Sequence, residues 1–178
     1  DYKYVAPVDS IPDHTQFHQI PNFELTSHKG LPFTFDSLKN KIWVVAFYST
    51  NSEFVNEATK QLLQINFKYR HVEDIAILGL TLDSQYDTPE VLADYVEEVE
   101  AKSLYPDKWY FLTGDQPEIN SLIREGFLIE DSTNIATMWL MDDNGHLRGR
   151  YNANFGEEIK KAKEDVALLK KEMDLREE

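Results

Sequence analysis

Cysteine is absent from the 178 residues. Thiolate nucleophiles, disulfides and thiolate metal sites are therefore excluded at the outset. What remains for chemistry is a hydroxyl- and amide-rich loop, Ser49-Thr50-Asn51-Ser52-Glu53, a carboxylate at Asp83, and five histidines. Ser52 as a nucleophile would need a base beside it. No histidine is placed by the sequence to serve, and a serine that opens a helix has a simpler use as a cap. His14 and His18 stand four apart, which on a helix points two imidazoles the same way, as in a metal clip. Pro12 and Pro21 flank them in a segment of weak helical character, so a surface pair of histidines is the competing reading. Asp83 ends an apolar run and reads either as a site carboxylate or as a turn and cap ligand. His28 falls in a turn and is expected to be exposed and silent. No GxGxxG or GxxxxGK spacing occurs, so a nucleotide site has no support.

The elements that must position these groups follow from periodicity. Ile42 to Phe47 is apolar, β-branched and aromatic throughout and predicts a strand buried on both faces. Val55, Ala58, Leu62, Ile65 and Tyr69 recur at helical spacing directly after it. Thr50 and Glu53 have the three-residue spacing of a capping box between the two. Phe23 to Leu25 and Pro32 to Phe35 bracket a turn and predict a hairpin. Residues 74–83 read as a second buried strand. Thr88 and Pro89 then open a helix as N-cap and first residue, burying Val91, Leu92, Tyr95, Val96 and Val99. Trp109 to Gly114 is a third strand, and a helix runs from Pro117 to Phe127, closed by Gly126. Ala136 to Met141 and Leu147 to Tyr151 form a hairpin around Asp142-Asp143-Asn144-Gly145. A last helix from Glu157 to about Asp174 buries Ile159, Ala162, Val166, Leu169 and Met173, with residues 176–178 expected to fray. This order implies α/β packing with a mixed sheet.

The length suits a single domain with a sizeable core. Residues 1–19 read as an extended lead-in and 20–175 as the domain. A net charge of −14 and a pI near 4.7 argue against nucleic acid or an anionic membrane surface as a partner. No stretch reads as a signal peptide or a membrane span.

Ile42-Trp43-Val44-Val45-Ala46-Phe47-Tyr48-Ser49-Thr50-Asn51-Ser52-Glu53-Phe54-Val55-Asn56 resembles the core motif W-V-x-x-F-x-x-T-x-C-P-x-x-C of the Sco/SenC family. Trp43, Phe47 and Thr50 match, while the two cysteine positions hold Ser52 and Asn56. Four further blocks agree in order: Pro21, Phe23, Leu25, Gly30, Phe33, Phe35, Leu38 and Lys41 at the entry; Asp83 with Asp87-Thr88-Pro89; Trp109 to Asp115 with Gly126-Phe127; and Leu140, Asp142, Gly145, Arg148, Gly149 and Tyr151. In the last block the family's metal-binding histidine falls on Asn134.

The resemblance implies a thioredoxin-like fold, with a mixed central sheet flanked by helices and an N-terminal hairpin. It also implies a relation to proteins that assemble the copper site of cytochrome oxidase. It further implies an exported, membrane-anchored setting whose anchor lies outside this sequence. The family's working atoms are missing together: Ser52, Asn56 and Asn134 stand where two thiols and an imidazole would be. Copper binding and thiol redox are therefore not expected, and no cofactor and no catalytic residue is assigned. Two readings remain open. One is a non-catalytic interaction or assembly domain with a protein partner, in the oxidase-assembly setting that the resemblance implies. The other is an enzyme or metal protein with repurposed chemistry at the former site, using Ser52, Asp83 or the histidines.

Overall fold

The computed structural model describes residues 16–51, 55–103, 108–130 and 136–178, with the side chains of 55–59 and 99–103 outside that description. Along the chain come β1 (Glu24–Ser27), β2 (Pro32–Thr34), β3 (Ile42–Tyr48), α1 (Val55–Lys68), β4 (Ile75–Thr81), α2 (Pro89–Ser103) and β5 (Trp109–Thr113). They are followed by α3 (Gln116–Ser121), β6 (Thr137–Met141), β7 (Leu147–Asn152) and α4 (Gly156–Glu177). The seven strands form one sheet in the order β2-β1-β5-β4-β3-β6-β7. β3, β4 and β5 run parallel; β1 and β6 flank them antiparallel, and β2 and β7 pair antiparallel with β1 and β6 at the two edges. The sheet is mixed and the packing α/β, as the element order implies, and the fold is the thioredoxin-like one that the resemblance implies.

Every residue of β3 and β4 is buried. Side chains alternate across the pleat, so the two faces build two cores. One face carries Ile42, Val44, Ala46, Tyr48, Ile75 and Ile77 against the inner residues of α1, α2 and α4. The other carries Trp43, Val45, Phe47, Leu78 and Leu80 against the hairpin and the 119–129 segment. α4 presents Ile159, Ala162, Val166, Leu169 and Met173 inward, as its periodicity predicts. At Gly79 the first core leaves no room for a side chain. A Cβ there would lie 2.5 Å from Cδ1 of Phe111, whose ring meets Tyr48 edge-on with centroids 4.9 Å apart.

Three expectations are corrected. His28 is buried rather than exposed, because β1 pairs with β5 and draws the turn against it. Its Nδ1 accepts the Phe111 N–H at 3.3 Å, which requires that nitrogen to be unprotonated, and burial together with Lys29 lowers the ring's pKa. The helix after β5 is interrupted: α3 gives way to a π turn over Leu122–Gly126. Phe127 N–H reaches back to Leu122 O at 3.0 Å. Nor does α4 fray at Arg176, whose guanidinium holds Asp143 at 2.9 Å.

The β6–β7 hairpin is pinned by charge. Arg148 is buried and bonds Glu172 through Nη1 at 2.8 Å and Nη2 at 2.6 Å, and Asp142 at 3.2 Å. The ring of Phe17 lies 4.0 Å from the guanidinium carbon. Asp142 also accepts the backbone N–H groups of Asn144 and His146, each at 3.0 Å, and faces Nδ1 of His146 at 3.3 Å. Burial works against ionising Asp142, yet the hydrogen bonds from His146 and Asn144 hold its pKa below the usual value. The lead-in is stitched to the same place, with Ile20 N–H on Gly145 O and Leu147 N–H on His18 O, at 2.9 and 2.8 Å. At the other end of β7, Glu158 takes the Asn152 N–H at 2.5 Å.

Gly79→Ala is expected to cost about 1–3 kcal/mol, the range for overpacking a filled core, read as a lowered midpoint in chemical denaturation. A pH dependence follows from His146, whose pKa the Asp142 hydrogen bond raises above 6.5 against the opposing effect of burial. A raised folded pKa gives stability that is present below the unfolded value and lost as pH rises through the folded one. The stability lost on His146→Asn should therefore be larger near pH 5 than near pH 9, as measured by urea titration at each pH.

Candidate functional site

Parallel strands in open α/β sheets deliver their chemistry at their C-terminal ends. Here β3 runs out into Ser49-Thr50-Asn51 and β4 into the 82–88 loop, side by side, since Tyr48 pairs with Thr81. The group that joins them is Asp87, fully buried. Its Oδ1 accepts the Thr50 N–H at 3.2 Å and also the Thr50 hydroxyl. Its Oδ2 accepts the Thr81 hydroxyl at 2.5 Å. A carboxylate out of water needs such donors, because each missing bond leaves an unpaired buried charge. The loop then turns into α2, where the Thr88 hydroxyl caps the Val91 N–H at 3.3 Å, as the sequence predicts.

Beneath this tether lies Tyr48, whose hydroxyl donates to Leu112 O at 3.2 Å. Burial first, then Asp87 and Tyr95, push its pKa well above the ordinary tyrosine value. It is a neutral donor bracing β3 against β5, and ionised-phenol chemistry is closed to it.

The Thr50–Glu53 capping box expected ahead of α1 rests on Glu53, which lies outside the described residues. α1 begins at Val55, and Thr50 lies ahead of it with its hydroxyl donated to Asp87. Glu53 and Ser52 lie outside the described residues, as do Asn134 and His14, while Asn56 stands in α1 with its side chain undescribed. β6 begins at the end of the sheet where β3 finishes, because Met138 pairs with Ala46. Asp83 turns out to be bonded in its own turn: its Oδ1 accepts the Tyr86 N–H at 3.3 Å, and its N–H donates to the Thr81 hydroxyl at 3.0 Å. His18 places Nε2 3.1 Å from Glu125 O, at the end of the π turn.

Copper in the setting the resemblance implies needs soft thiolates and an imidazole. A serine hydroxyl and two carboxamides are neutral, hard donors, and the chain has no sulfur but methionine thioethers to add. Among the described residues no group of three or more His, Asp or Glu is placed to hold a metal ion. The donor set does not fit copper.

Asp87 and Thr81 are what residue-level reading missed. Asp87 passed as the residue before a helix cap, and Thr81 as part of an apolar strand. The available signal was Thr81 itself: a hydroxyl inside a doubly buried strand must find a partner, and the nearest ionisable groups along the chain are Asp83 and Asp87.

The profile of the SCO1/SenC family matches residues 12–168. The chain belongs to that family. A SCO2-like protein of Rickettsia felis is 31% identical over 102 residues, 56% of this chain and 48% of its own. The chain thus spans about half the length of that curated relative. A SCO1/SenC family lipoprotein from Bacillus anthracis superposes with a TM-score of 0.73 at 19% identity, over 89% of this chain and 99% of its own. BsSco, a member of the Sco family of cytochrome c oxidase assembly proteins with a disulfide switch, superposes at 0.67 with 22% identity, over 92% and 98%. At such identities the superpositions show a shared fold. Within that fold, Thr50 is tethered to Asp87 in a chain that has no cysteine.

Asp87→Ala is expected to destabilise by about 3 kcal/mol, because the O–H donors of Thr81 and Thr50 lose their acceptor, and Thr50→Ala by about 1 kcal/mol. Because they share one bond, the double variant should cost less than the two losses added. Equilibrium denaturation of the three variants reads the coupling.

Proposed function

We propose that this chain is a Sco/SenC domain that works by holding a protein partner in oxidase assembly, at the surface where its relatives carry thiols, with neither metal transfer nor thiol redox of its own. The observation that carries this reading is the Asp87 tether: the support for the loop is kept while the loop holds no sulfur. Scaffold retained without ligands fits a surface used for recognition. Thiol–disulfide exchange needs an attacking thiolate, which the chain does not offer. The membership in SCO1/SenC and the assembly role stated for BsSco support the oxidase setting. The lipoprotein relative supports an exported, anchored location. Among the described residues no helix is long and apolar enough to cross a membrane. The reading of repurposed catalysis gains little from Asp83, whose carboxylate is engaged in its own turn.

A photo-crosslinking residue at Ser52, in cells making the full protein, should trap an oxidase subunit or assembly factor identified by mass spectrometry. The same probe at Lys171, on α4, should trap none. Equal yields at the two positions would overturn the reading, as would one tightly held copper per chain after desalting. The ligand assignment has its own check. Ser52→Cys, Asn56→Cys and Asn134→His together should create a copper site with thiolate absorption that the parent lacks. A folded, reduced triple variant that binds no copper would place the error in those three positions.

A further inference from the structure

We infer that His28 is an acid-released latch between the β1–β2 hairpin and β5, set behind the loop at Thr50. Unprotonated, its ring holds the hairpin turn; protonation frees the turn and slackens the support of the loop. The inference stands apart from whatever the loop binds. The ladder between β1 and β5 is short, Thr26 opposite Thr113 and Ser27 opposite Leu112. At the next position His28 N–H donates to Phe111 O at 2.8 Å. In a continued antiparallel ladder the Phe111 N–H would return to the carbonyl of His28. The chain has begun to turn by then, with Gly30 at φ of 72° and its N–H on Ser27 O at 2.8 Å. The imidazole takes the place of that carbonyl, Nδ1 accepting the Phe111 N–H at 3.3 Å.

The replacement differs from a carbonyl in that a proton abolishes it. An imidazolium carries N–H on both nitrogens and accepts nothing. It would set donor against donor at a residue only 8% exposed, where a charge needs a partner. Among the described residues no carboxylate bonds the ring. Burial, and then the charge of Lys29 beside it, hold the ring's pKa below 6.5. Ahead of β5, Lys108 turns its ammonium to Tyr69 O and Val72 O, and on β5 Tyr110 packs into the second core. On α2, Tyr95 meets the Phe111 ring with centroids 5.4 Å apart, and Glu90, Asp94, Glu97 and Glu98 lie along the same helix. The side chains of Glu100 and Lys102 fall outside the description. β2 has no ionisable side chain, and Glu24 stands at the far end of β1. A lowered folded pKa means that the latch holds above the unfolded value and opens as pH falls through the folded one.

Release has a route to the functional end. The Phe111 ring meets Tyr48 edge-on at 4.9 Å, and the next carbonyl along β5, Leu112 O, takes the Tyr48 hydroxyl at 3.2 Å. Tyr48 O receives the Leu82 N–H at 2.7 Å, and Thr50 follows two residues on. A close-packed interior passes a displacement on rather than absorbing it. Movement of β5 at Phe111 therefore reaches first the residue from which the tethered loop departs.

The test follows single amides of the isotope-labelled full chain from about pH 8 to about pH 4.5, with the His28 ring titrated alongside. His28 should titrate below 6.5. Over the same interval the Phe111 amide should lose roughly tenfold in exchange protection, corrected for its intrinsic rate. The Thr50 and Leu82 amides should shift with the midpoint of the His28 ring. His28→Asn sets a carboxamide oxygen near the Nδ1 position and takes up no proton, so Phe111 should stay protected throughout. His28→Phe has no acceptor and should leave Phe111 unprotected at every pH. A Phe111 amide that keeps its protection while His28 titrates overturns the inference, as does a ring that stays unprotonated to the acid limit. So does a different midpoint at Thr50 and Leu82, or a His28→Asn variant that reproduces the parent's changes, since another group is then titrating. The parent's own signals decide the matter if a variant does not fold.

Discussion

The buried carboxylate of Asp87 is the constraint on which the functional end of this molecule depends. It is the meeting point of three chain segments: the exit of β3 through Thr50, the last residue of β4 through Thr81, and the start of α2 through its own backbone. Hydrogen bonds to a charged acceptor are stronger than neutral ones, and inside a protein the cost of breaking them is larger still. A carboxylate so placed fixes the loop geometry whatever residues the loop goes on to carry. That separates two things a family site usually holds together, the support and the reactive atoms, and lets the second be lost without the first.

Much of this was legible in the sequence, for reasons that differ by element. β3 and β4 are unbroken apolar runs, and burial on both faces is the only arrangement that hides them. α4 declares its inner face by strict spacing, and the turn at Asp142–Gly145 by its composition. What stayed hidden depends on tertiary neighbours. Nothing near His28 in sequence says that β5 will supply an N–H to its ring. The π turn after α3 depends on packing of Leu122 and Phe127 against the second core rather than on local propensity. Local hydrogen bonds are the ones a sequence displays, so the bond from Thr50 to Asp87, 37 residues away, was not visible in it. The candidate site was half legible: motif spacing pointed to the loop after β3, but not to the carboxylate that holds it.

The opposite end of the sheet is organised by a second charged group with a different character. Arg148 gathers Asp142, Glu172 and the ring of Phe17, joining β7, α4 and the lead-in. Asp87 is satisfied by hydroxyls and an N–H and carries no ion pair in that set. Arg148 sits among carboxylates, with His146 beside them as the one partner whose charge changes near neutral pH.

The way the sheet closes its flanks bears on how anything can be recognised at all. A strand exposed at an edge invites another strand to pair with it, in a partner or in an aggregate. On one flank β2 is three residues long and begins with a proline. On the other, β7 has its first outward N–H taken by His18 and its last by the side chain of Glu158. Strand addition is thereby discouraged on both sides, which leaves the ends of the strands and the loops above them as the open surface of the sheet.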